Sequence, residues 1–169
     1  MSDVPNQAAS QQERCEEAER NVQTFSYNRA NGKKVGGGVK EIVSLARTRS
    51  TKVAVQVVKE GGENNLHFHR KTEIVYTVLK GRAKFYGPED KLYGEFGQYE
   101  GILLPADSRY WFEKAGEEDL ELLQVTFSGD AANAARVNVD LAKDWMGGVA
   151  ELQVYENGSN PPTTTSEQA

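Results

Sequence analysis

Cysteine occurs once in this chain, at Cys15, so an internal disulfide is excluded. The thiol lies in a polar segment, far from any cluster of reactive side chains, which argues against a nucleophile and fits a reducing compartment. No stretch approaches the ~18 apolar residues of a membrane-spanning helix. The opening segment MSDVPNQAASQQ lacks the apolar core of a secretion signal. The expectation is therefore a cytoplasmic protein with no membrane partner. Basic residues are not in excess: 20 Lys and Arg stand against 25 Asp and Glu, a formal net charge of −5. Pairs such as Lys33-Lys34 and Arg70-Lys71 are interleaved with acids, so no nucleic-acid partner is expected. The serine-hydrolase elbow, the phosphate loop and the dinucleotide fingerprint are missing. Gly36-Gly37-Gly38 is not followed by the Lys-Ser/Thr pair that a phosphate loop needs.

What the chain does have is enough apolar residue for one core. At 169 residues with 38% hydrophobic and 27% charged side chains, a single domain is the default. Residues 1–24 read as a polar arm or short helix, since Ser10-Gln11-Gln12-Glu13 has the capping-box spacing and Cys15, Ala18 and Val22 follow at helical intervals. Residues 156–169, rich in Gly, Ser, Pro and Thr, read as a disordered tail. Between them, residues 25–155 form the domain. Short β-rich runs fall at 39–45, 53–58, 66–69, 73–79, 83–86, 92–96, 101–104, 110–113 and 120–127, separated by turns. Spacing of this kind predicts an all-β sandwich or barrel. Residues 140–146 are the one later stretch that reads as a helical turn, with Asp140 as its N-cap.

The two histidines of the chain, His67 and His69, are one residue apart and are followed by Glu73. Residues i and i+2 of a strand share a face, so both imidazoles can reach one ion. A hairpin would return the Glu73 carboxylate to it from the next strand. Two imidazoles and a carboxylate on one side of a metal leave positions open for substrate, water or oxygen, the arrangement of many non-haem iron enzymes. One divalent ion is thus the expected cofactor. Iron leads, and manganese, nickel, cobalt and zinc accept the same ligands.

The spacing Gly61, five residues, His67-Phe68-His69, three residues, Glu73 resembles the first motif of the cupin superfamily. That motif runs Gly, five residues, His-x-His, three or four residues, Glu, six residues, Gly. Here the next glycine, Gly81, comes after seven residues, a mismatch that a bulge or a longer hairpin strand would absorb. In the second motif Pro105 holds the proline position. Tyr99, Asp107, Tyr110 and Lys114 replace its two glycines, its histidine and its asparagine. The likeness covers roughly residues 38–128 and extends to small single-domain bacterial cupins. It implies a double-stranded β-helix, or jelly-roll, barrel with short terminal helices, forming a homodimer. Tyr110 then stands at the fourth ligand position, as a phenolate ligand, as a phenol donating to a bound ligand, or as barrel lining.

Strand parity adds Asn65, Val75, Thr77, Phe112 and Gln124 to the expected pocket, mostly apolar with few polar anchors, which suits a small organic molecule. Trp111, at the opposite parity to Tyr110, is expected outside the barrel; Arg82 and Arg109 read as solvated. The leading functional expectation is a metal-dependent oxidoreductase, an iron dioxygenase with Tyr110 and Glu73 as catalytic groups. The alternatives are a metal-dependent lyase or isomerase using Tyr110 as acid or base, and a non-catalytic binding protein.

Overall fold

The computed structural model describes residues 10–129, 135–146 and 153–158. Eleven strands carry the domain: β1 Lys33–Val35, β2 Lys40–Arg47, β3 Thr51–Val58, β4 His67–His69, β5 Thr72–Lys80, β6 Arg82–Tyr86, β7 Leu92–Phe96, β8 Gly101–Leu104, β9 Trp111–Ala115, β10 Leu120–Ser128 and β11 Arg136–Asn138. Their residues alternate as half-buried strands should. In β5, Thr72, Ile74, Tyr76 and Val78 are buried, while Glu73 and Val75 between them are exposed.

One layer is a six-stranded sheet in the order β1-β2-β3-β10-β5-β8. The facing layer contains β7-β6-β9 and β11-β4. Tyr110 joins these two groups: its N–H donates to the His67 carbonyl at 2.9 Å, and the His67 N–H donates to the Tyr110 carbonyl at 3.1 Å. From β3 onward the chain passes between the layers, with β3, β5, β8 and β10 in one and β4, β6, β7, β9 and β11 in the other. That winding is a double-stranded β-helix, as the sequence leads one to expect. The core between the layers is aromatic: Phe85 and Phe112 stack with ring centroids 5.1 Å apart, and Tyr76 lies within 5.5 Å of both. Truncating such a ring to alanine typically costs about 3–5 kcal/mol.

The N-terminal helix α1 spans Gln11–Arg20 and has the expected capping box. The Ser10 hydroxyl accepts from the Glu13 N–H at 3.2 Å, and the Ser10 N–H donates to the Glu13 carboxylate at 2.6 Å. None of its residues is buried. Docking begins just after it, so the division at residue 24 falls a little late. The Gln23 amide makes bonds of 2.8 and 3.0 Å with the Arg47 backbone, and Arg29 pairs with Asp119 at 2.6 Å. These anchors sit at opposite ends of β2, β3 and β10, on the sheet whose outer-face residues Val43, Val55 and Val57 are buried. Further across that face Val75, Leu103 and Phe127 remain exposed.

At the other end, residues 156–158 belong to the body: the Glu156 N–H donates to the Asn138 carbonyl at 3.0 Å, and Tyr155 bridges Gly158. The expected tail from 159 onward lies outside the described residues. The helical turn is a single 3-10 turn, Asp144–Met146, shorter than the stretch beginning at Asp140. Among the described residues no helix is long and apolar enough to cross a membrane.

Candidate active site

Backbone register assembles the site. In the β11–β4 ladder Asn138 lies opposite His67 and Arg136 opposite His69, and the bridge sets Tyr110 opposite His67 on the other side. Residues directly opposite on paired strands share a face, so Asn138, His67, Tyr110, Arg136 and His69 belong to one face. Across the barrel the six-stranded sheet contributes Tyr76, Gln124 and Gln56. Gln124 is paired with Tyr76, and Gln56 donates to the Gln124 amide oxygen at 2.7 Å.

His67 has a fixed tautomer. Its Nδ1 lies 2.8 Å from the Asn65 carbonyl, which can only accept, so Nδ1 carries the proton and Nε2 the lone pair. Burial, followed by the Arg136 charge and His69, holds its pKa well below the usual imidazole range. His69 is brought to about 4, again by burial and then by Arg136. Both rings are neutral at pH 7. The Tyr110 ring is 4.4 Å from that of His67, and its hydroxyl is 3.0 Å from the Tyr76 hydroxyl. Burial pushes the Tyr110 phenol well up and that of Tyr76 to about 12, so both keep their protons. A neutral base thus lies beside two linked phenols.

Glu73 is not part of this assembly. It is exposed and pairs in register with Phe127, while Ile74 takes the adjacent inward position. The glycine mismatch now has a physical meaning. The extra residue is Leu79, at a register shift where Glu121 pairs with Lys80 and Leu122 with Val78. The spacing is absorbed at the far end of β5, and the inward position nearest the turn's carboxylate is Ile74. After the two-residue turn at Arg70 and Lys71, where Lys71 has φ 53°, β5 starts with Thr72 pointing in. The same parity puts Val75 on the outer face with Thr77, correcting their placement in the pocket.

The remaining expected residues fall as follows. Phe112 is fully buried in the barrel, and Gln124 is inward. Asn65 is buried beside the histidines, where its amide holds Asn138 at 2.9 Å and the Asp140 carbonyl at 2.9 Å. Trp111 stacks on Tyr86 at 4.2 Å outside the barrel and donates to Asp90 at 3.0 Å. It lines a cleft of about 550 Å³ with Asp90 and residues 140–144, and Asn65 lines the same cleft. Arg82 pairs with Glu95 at 2.8 Å on the surface.

Tyr76, Gln56 and Arg136 were not among the expected residues. The first two were within reach of strand parity, had β5 been started at Thr72. Arg136 comes from a three-residue strand more than sixty positions away and left no sequence signal.

The donor set does not fit the expected three-ligand metal centre. Among the described residues no group of three His, Cys, Asp or Glu side chains is placed to hold an ion. The third neighbour of the imidazoles is a guanidinium, whose field lowers both histidine pKa values and opposes a divalent cation.

No family model matches the chain, and no curated protein matches it. Solved structures do. KdgF from Halomonas sp. aligns at a TM-score of 0.55 with 14% identity, over 64% of this chain and 96% of that one. The cupin domain of Schizosaccharomyces pombe Cnp3 aligns at 0.53 with 14% identity, over 61% and 73%. An RmlC-like cupin from Desulfovibrio desulfuricans aligns at 0.51 with 18% identity, over 62% and 96%. At these identities the likeness establishes the fold: the chain is built as a cupin barrel.

Proposed function

We propose that this cupin barrel is an acid–base enzyme, an isomerase or lyase that moves a proton at a carbon next to a carbonyl in a small organic molecule. The observation that carries the reading is the fixed His67 tautomer, with a free Nε2 lone pair beside a Tyr110 hydroxyl that keeps its proton. His67 Nε2 takes the proton from carbon. The Tyr110 hydroxyl, backed by Tyr76 at 3.0 Å, donates a hydrogen bond to the enolate oxygen that develops. Return of the proton to a different carbon completes an isomerisation; loss of a β-hydroxyl as water completes an elimination. The surrounding Phe112 and Ile74 keep the site dry, which strengthens these interactions.

The dioxygenase expectation rested on Glu73 as the third ligand, and Glu73 faces away. The test is carbon-bound hydrogen exchange in deuterated water, followed by NMR with a panel of small 2-oxo and 3-hydroxy compounds and protein stripped with a chelator. Exchange that survives chelation and is lost in His67→Ala supports the reading. Turnover that requires added iron and oxygen overturns it in favour of the dioxygenase. We also infer a homodimer, supported by the in-register outer row Val125, Val75 and Leu103, the last 59% exposed. A monomeric mass by sedimentation would refute it.

A further inference from the structure

Arg136 is mostly buried, and no carboxylate among the described residues pairs with it. Its partners are neutral. Nε donates to the Asn138 amide oxygen at 3.3 Å, and Nη2 donates to the Asn65 amide oxygen and lies 3.9 Å from the Met146 sulfur. Nη1 has no partner among the described residues, and it is not among the sealed, unsatisfied buried atoms. Burial lowers the Arg136 pKa, yet a guanidinium does not give up its proton in proteins. A desolvated, permanent charge without a counter-ion is costly to keep. The surroundings hold it in place all the same. Asn65 and Asn138 fix the fork from two sides and are themselves bonded to each other at 2.9 Å. The register places Arg136 opposite His69, and its charge acts on His67, His69, Tyr76 and Tyr110 alike.

We propose that Arg136 is the anchor for a carboxylate on the molecule that enters the barrel. The inference rests on the acid–base reading for its role in turnover, and it narrows the substrate class to small organic acids. The free Nη1 can donate a charge-assisted bond to a carboxylate, and binding there offsets a guanidinium that no carboxylate among the described residues pairs with. A carboxylate held by Nη1 would keep the carbon next to it near His67 and Tyr110.

The test is binding, measured apart from catalysis. Pyruvate and its neutral isostere pyruvamide are titrated into the wild-type protein by calorimetry, at constant ionic strength set with chloride. Pyruvate is expected to bind and pyruvamide to bind at least tenfold more weakly. Arg136→Met should weaken pyruvate about tenfold to a hundredfold, Arg136→Lys less, and Glu73→Ala, at an exposed outer position, little. If Arg136→Met does not fold, the acid–amide comparison on wild-type protein decides alone. Equal affinity for acid and amide, or unchanged pyruvate affinity in a folded Arg136 variant, overturns the anchor. Carboxylate binding with no exchange on any acid leaves the anchor standing and removes the acid–base reading. Exchange on neutral compounds as fast as on acids does the reverse.

Discussion

The Tyr76 and Tyr110 hydroxyls meet at 3.0 Å inside the barrel, one from each layer. On the six-stranded sheet Gln56 donates to Gln124, which is paired with Tyr76, so polar groups line up across an otherwise aromatic core. The pair has unequal duties, because Tyr110 is the phenol in ring contact with His67. Tyr110→Phe should lower turnover by ~10²–10⁴-fold while costing stability about 1 kcal/mol. Tyr76→Phe should cost less turnover, since Tyr110 still donates to the reacting oxygen. Exchange rates and thermal melts of the two variants check this, and equal losses would assign the pair a single structural role.

Glu73 and Ile74 make a second test. Glu73→Ala, at an exposed outer position, should change stability by no more than about 0.5 kcal/mol and leave turnover unaltered. Protein purified without chelator should contain iron, manganese, nickel, cobalt and zinc only substoichiometrically. Elemental analysis and a melt settle both points. One equivalent of metal that disappears in Glu73→Ala would return the carboxylate to the site.

Fold and site were legible in the sequence to different depths. Nine of the strand positions follow from β-branched runs broken by turns, because alternation and turn chemistry are local. The pairing of His67 with His69 on one face is local too. The face of Glu73 was not, since it depends on whether the turn after His69 takes two residues or three. A one-residue difference there flips every side chain of β5. The seven-residue spacing to Gly81 is met by a register shift at the far end of β5, where Leu79 is the extra residue opposite Glu121 and Leu122, so it says nothing about the turn. Arg136 was invisible for another reason: β11 is three residues long, and only its ladder with β4 brings the guanidinium to the imidazoles.

Lys40 gives a prediction at alkaline pH. Its ammonium is buried, 3.0 Å from the Asn64 amide oxygen and 4.6 Å from the centre of the Trp145 ring. Burial, then the Arg136 charge, bring its pKa down from 10.5 to about 7. Between these values the unfolded chain binds the extra proton, so stability rises as pH climbs from about 7 to 10.5. Below 7 the folded protein carries the full cost of the buried charge. Lys40→Met should therefore stabilise the protein by on the order of 1–3 kcal/mol at pH 6, after the lost Asn64 and aromatic contacts are subtracted. The advantage should shrink toward pH 10. Denaturant titrations of both proteins across that range measure it, and a pH-independent difference would show that Lys40 is fully charged throughout.

His69 gives the opposite window. Its pKa is about 4 in the folded protein against 6.5 for a free imidazole, because burial and then Arg136 disfavour the cation. A histidine with a depressed folded pKa is neutral in the native state while the unfolded chain takes up its proton first. Between pH 6.5 and 4 the unfolded state therefore holds more protons, and stability is lost as pH falls through that interval. Below about 4 both states are protonated and the loss is complete. A shift of this size corresponds to at most ~3 kcal/mol. His69→Gln removes the titration while keeping a polar side chain opposite Arg136. Carboxylates also titrate in acid, so the quantity to follow is the difference in unfolding free energy between wild type and variant at each pH. That difference should move in favour of the glutamine protein as pH falls from 6.5 to 4 and be flat above 7. A carboxylate bound at Arg136 should flatten the slope further, since it screens the guanidinium that holds the imidazole neutral. A difference that stays constant across the acid range would mean that His69 is open to water and outside the Arg136 field.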